Sequence, residues 1–103
     1  TCEKNDTGIE FQWDYPNGWP CQQYQVVRGL YNYGYEADAK RIAKKYVDLV
    51  EKIFDETGYL WEKYNVEEGS VKVKNEYDMP AMMGWSAGTY MAFKKYLDSG
   101  ILD

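Results

Sequence analysis

A small all-α domain, three helices joined by long loops, is the fold class this sequence predicts. Residues 36–57 place their apolar side chains on one helical stripe, and shorter stripes of the same period occur at 21–32 and 86–98. Strand-like alternation is confined to Val71-Lys72-Val73-Lys74, enough for one short strand or local hairpin.

Each element follows from its own residues. The stretch Thr1 to Pro20 is rich in turn formers, with Asn5-Asp6-Thr7-Gly8 followed by Tyr15-Pro16-Asn17-Gly18-Trp19-Pro20, and it predicts a loop carrying aromatics. A first helix is expected from Cys21 to about Asn32, because Pro20 suits a first turn and Tyr24, Val27, Leu30 and Tyr31 recur at helical spacing. Gly34 closes it. The second helix, Glu36 to Thr57, has Ala39, Ile42, Ala43, Tyr46, Leu49, Val50, Ile53 and Phe54 on its apolar stripe. Its polar stripe carries Lys40, Arg41, Lys44, Lys45, Asp48, Glu51, Lys52 and Asp55, read as a solvated face that needs no partner. Glu36 and Asp38 at its start and Gly58 at its end match the helix dipole and the usual glycine stop. Residues from Tyr59 to about Trp85 are expected to be non-helical. A last helix is expected from Ser86 to Asp98, with Ser86 as N-cap, Tyr90, Phe93 and Leu97 inward, and Gly100 as its stop.

Length and composition exclude several classes of function. At 103 residues the chain is one unit, 1–103, with a modest core. A net charge of −5 opposes binding to phosphate backbones, so nucleic acid is not an expected partner. Nothing approaches the roughly 20 apolar residues that span a bilayer, so no membrane association is expected. Thr1 to Asp6 hold no signal-peptide pattern, and the chain is expected to be soluble, processed, and secreted or extracellular. With no histidine and only two cysteines, neither a zinc site nor a Ser/His or Cys/His pair can be assembled. Acid–base chemistry must rest on carboxylates; no metal and no cofactor are implied. In an oxidising compartment a Cys2–Cys21 disulfide would contribute about 2–4 kcal/mol to so small a chain. Free buried thiols are the alternative.

The run Phe11-Gln12-Trp13-Asp14-Tyr15-Pro16-Asn17-Gly18-Trp19-Pro20 resembles the signature of the trehalase family of glycoside hydrolases, Gln-Trp-Asp-x-Pro-Asn-Gly/Ala-Trp, which lies just before a helix. Trp61-Glu62-Lys63-Tyr64-Asn65, after the long helix, is similar to that family's Glu-Lys-Tyr-Asn/Asp motif. Glu76-Tyr77, then Gly84-Trp85-Ser86 eight residues after Glu76, resembles its Glu-Tyr-x(6)-Gly-Trp-Thr/Ser-Asn-Gly. The resemblance covers most of this chain and the C-terminal part of a trehalase catalytic domain.

That resemblance implies the closing segment of an (α/α)6 toroid and an inverting mechanism, in which one carboxylic acid protonates the bridging oxygen and a second carboxylate activates water. It assigns Glu62 the role of general base. Trp13, Asp14 and Glu76 become substrate-binding residues, with Trp13 lining the glucose site and Trp19 in a packing role. The general acid and the sugar-gripping arginines of the family lie upstream of the matched region. The chain also departs from the pattern: Val66 to Asn75 replace a glycine-rich spacer, Met82-Met83 precede Gly84, Ala87 stands where the family has Asn, and Cys21 where a second proline is common.

Two expectations follow. In one, a truncated trehalase-like protein is not catalytic alone and has a binding or structural role, self-associating as a homo-oligomer with trehalose or another small carbohydrate as ligand. In the other, the segment works with the rest of an active trehalase that hydrolyses α,α-trehalose to glucose.

Overall fold

The computed structural model describes residues 11–73, 78–81 and 84–103. Three helices form the body of the molecule: α1 (Pro20–Asn32), α2 (Glu36–Thr57) and α3 (Gly84–Ser99). Two strands of two residues each, β1 (Asn17–Gly18) and β2 (Tyr64–Asn65), pair antiparallel, with Asn17 opposite Asn65 and Gly18 opposite Tyr64. The order is β1-α1-α2-β2-α3.

The helices form where the stripes predict them, and α2 keeps the expected bounds. Pro20 opens α1, where its missing N–H costs no hydrogen bond. Gly58 ends α2 in the left-handed region at φ 77°, which a side chain at Cβ would disfavour, and its N–H donates to Phe54 O at 2.7 Å.

The core is one cluster shared by the three helices. Val27 of α1 meets Ala39, Ala43, Tyr46, Val47, Val50 and Ile53 of α2 and Phe93 and Tyr96 of α3, with Tyr64 and Leu102 closing the ends. Tyr46 lies edge-on to both Tyr64 and Phe93, with ring centroids 6.2 and 5.6 Å apart. Its hydroxyl donates to Ser86 O at 3.2 Å, and burial pushes the phenol pKa far above its ordinary value.

Three expectations are corrected. Helix α3 begins at Gly84, so Ser86 is not its N-cap; the buried Ser86 hydroxyl donates instead to Trp61 O at 2.6 Å, crossing to the loop before β2. Val71 to Val73 form no strand, and Lys74 lies outside the described residues. Asn65 organises that segment in place of a ladder: its Nδ2 donates to Lys72 O at 2.9 Å, and its Oδ1 accepts from the N–H groups of Glu67 and Glu68. Phe54, expected inside, is half exposed and lines an open cleft with Val50, Leu60 and Tyr90. Glu51, on the solvated face of α2, accepts hydrogen bonds from the Tyr90 hydroxyl at 2.9 Å and Lys94 Nζ at 2.8 Å, bridging α2 to α3.

Candidate functional site

The β1-β2 ladder brings together the two loops that hold most of the candidate residues. Gly18 is required at its crossing point, because a Cβ there would meet Val66 Cγ1 at 2.1 Å. Val66 N–H donates to Pro16 O at 3.0 Å, extending the seam by one bond. The register then sets Trp19, which follows Gly18, across from Lys63, which precedes Tyr64.

On the first loop, turns at Phe11–Asp14 and Asp14–Asn17 fold the chain back on itself, with Asp14 N–H donating to Phe11 O at 3.0 Å and Asn17 N–H donating to Asp14 O at 2.9 Å. Trp19 is 2% exposed and donates its indole N–H to Gln12 O at 2.8 Å. Trp13 stacks on it at 3.9 Å between ring centroids and 12° between planes, yet remains 42% exposed. The indole of Trp85 meets Trp19 edge-on at 5.6 Å. Three tryptophans from the first loop and α3 thus form one aromatic platform, of which Trp13 and Trp85 reach solvent.

Beside this platform the second loop buries a pair of charges. Glu62 is 5% exposed and Lys63 fully buried, and Lys63 Nζ lies 2.7 Å from Glu62 Oε2. The same ammonium stands 4.8 Å from the centre of the Trp19 ring, a cation–π distance. Backbone and side-chain hydrogen bonds hold the loop in place: Glu62 N–H donates to Pro80 O at 3.3 Å, Trp61 N–H to the Tyr64 hydroxyl at 3.1 Å, and Trp61 indole N–H to Thr57 Oγ1 at 3.0 Å. Burial raises the Tyr64 phenol pKa, while the bond from the Trp61 backbone opposes the rise.

Of the residues singled out in the sequence, Trp13 and Glu62 fall on the two sides of one seam, joined through Trp19 and Lys63. Asp14 is half-buried at the turn behind Trp13. Glu76 and Cys2 lie outside the described residues, as do Met82 and Met83. Cys21, half-buried in the first turn of α1, has no disulfide among the described residues. Lys63 and Trp85 were given no role by the sequence. For Lys63 the only available signal was its place in the motif, since lysine is among the residue types least often fully buried.

A profile of the trehalase family matches residues 4–98. A periplasmic trehalase of Pseudomonas aeruginosa is 33% identical over 90 residues, an alignment covering 86% of this chain and 16% of that protein. A cytosolic neutral trehalase of Kluyveromyces lactis is 36% identical over 100 residues, covering 85% of this chain and 13% of its own length. A trehalase of Tenebrio molitor is 40% identical over 86 residues, with corresponding shares of 80% and 16%. The chain therefore spans about a sixth or less of the length of the curated relatives it matches. No solved structure matches it significantly. Among the described residues no helix is long and apolar enough to cross a membrane.

Proposed function

Because the chain belongs to the trehalase family, we propose that it supplies the base-bearing side of an inverting trehalase site and hydrolyses α,α-trehalose only together with the remaining part of a catalytic domain. The observation that carries this reading is Glu62, buried and salt-bridged to Lys63, beside a tryptophan platform whose Trp13 face is open. An isolated loop glutamate would be solvated.

In this reading the Trp13 indole packs against the C–H face of a glucosyl ring and keeps water off the bond being cleaved. Glu62 accepts a proton from one water as that water's oxygen bonds to the anomeric carbon. The bond from that carbon to the bridging oxygen breaks, and an acid contributed from outside the residues matched here protonates the leaving oxygen. One glucose leaves with inverted configuration and one with its configuration retained. Asp14 and Glu76 contact sugar hydroxyls.

The test is reconstitution. The 103-residue chain, co-expressed with a Tenebrio molitor trehalase from which the matching segment has been removed, should release glucose from trehalose, while neither polypeptide does so alone. Glu62→Ala should abolish hydrolysis, and azide, which attacks carbon without surrendering a proton, should restore turnover as glucosyl azide. Folded, co-eluting polypeptides that release no glucose would contradict the reading.

A second reading, a non-catalytic secreted protein that binds a small carbohydrate and self-associates, draws support from the core, which closes within this one chain around Val27, Tyr46, Phe93 and Tyr96. It expects a homo-oligomer that binds trehalose without cleaving it, a distinction that calorimetry and size-exclusion chromatography make directly.

A further inference from the structure

We infer that Lys63 is a positioning residue that locks the Glu62 carboxylate to the tryptophan platform, an inference that rests on Glu62 acting as the base. Its ammonium is fully buried and reaches two groups at once: Glu62 Oε2 at 2.7 Å and the Trp19 ring at 4.8 Å from the centroid. Trp19 in turn carries Trp13 at 3.9 Å. The chain of contacts Glu62–Lys63–Trp19–Trp13 runs without interruption from the carboxylate to the exposed sugar-facing ring.

Local structure produces this chain of contacts. Glu62 and Lys63 are adjacent in sequence, and their side chains meet where the backbone bends just before β2, with Glu62 N–H bonded to Pro80 O. The ladder register then brings Trp19 across from Lys63. Two apolar side chains of similar volume would fill the same space without the cost of burying two charges, whereas an apolar residue at 63 alone would leave the Glu62 carboxylate buried without its ammonium. What an apolar side chain cannot do is tether Oε2, fix the plane of the carboxylate and so set the direction of its second oxygen. Catalytic placement tolerates errors of only about 0.5 Å before rates fall steeply.

A positioning role and a merely structural one separate in the reconstituted enzyme. With Lys63→Met, kcat for trehalose should fall about 100-fold while KM stays within about threefold, because the platform still binds sugar and the base is misplaced. Azide should restore turnover in Glu62→Ala but not in Lys63→Met, where the Glu62 carboxylate still fills and charges the space the azide anion needs. Lys63→Arg, which keeps a charged donor, should retain kcat within about tenfold and serves if the Met variant does not fold by circular dichroism. A rise in KM at unchanged kcat would overturn the inference; so would full activity in Lys63→Met beside an inactive Glu62→Ala. Activity persisting in Glu62→Ala is the different failure, of the base assignment itself, and it removes the premise.

Discussion

Two glutamate–lysine pairs in this molecule have nearly the same length and opposite settings. Glu51 and Lys94 meet at 2.8 Å between α2 and α3 with their side chains 44% and 46% exposed, whereas Glu62 and Lys63 meet at 2.7 Å with 7% and 0% exposed. Water and salt screen the first pair, so its net worth to folding is small. The second has given up its hydration, and such a pair usually contributes no more stability than apolar residues of the same volume would. A buried ion pair of this kind is weak support for a fold, and this one adjoins an open aromatic face.

The contrast can be broken at the buried pair first. Lys63→Ala should destabilise the chain by about 3–5 kcal/mol, because it leaves the Glu62 carboxylate buried without its ammonium; urea denaturation followed by circular dichroism measures the loss. Next in size is the ladder that holds the pair against Trp19. Gly18→Ala drives a methyl into Val66 Cγ1 and should cost about 1–3 kcal/mol, and Val66→Ala in the same chain should recover most of it.

The smallest effect belongs to the exposed pair and shows best in pH. The hydrogen bond from Lys94, then that from Tyr90, holds the Glu51 carboxyl below its ordinary pKa. A carboxylate shifted down contributes stability above the ordinary glutamate pKa and loses it as pH falls through the lowered value. Glu51→Gln should therefore flatten the acid side of the stability profile while changing little in high salt at neutral pH. A marked loss at neutral pH in high salt would mean that the exposed bridge matters more to the fold than its setting implies.

Legibility in the sequence follows the same division. The three helices were legible because each buries a stripe of local period 3.6, and α2 was bounded to the residue by Glu36 and Gly58. Val47 was missed: it is apolar but lies beside the expected stripe, and α2 is buried over a wider arc than one stripe because α1 and α3 both pack against it. The β1-β2 ladder leaves no local signal, since its two-residue strands come from opposite ends of the α1-α2 hairpin and each has only a turn-like sequence. Ser86 looked like a cap because serine at a helix start usually is one; what it satisfies is Trp61 O, a partner that only the fold brings near. The candidate site was legible through whole motifs and not through single residues, because composition alone would place Lys63 in water.

The central claim is that Glu62 and Lys63 are kept for chemistry and not for stability, and one double variant tests it. Glu62→Leu with Lys63→Met removes both charges and leaves apolar side chains of similar length. Measured side by side, the doubly changed chain should lose less stability in urea than Lys63→Ala alone, and its reconstituted complex should release no glucose from trehalose. A double variant that unfolds as readily as the single, or one that still hydrolyses trehalose, would contradict the account.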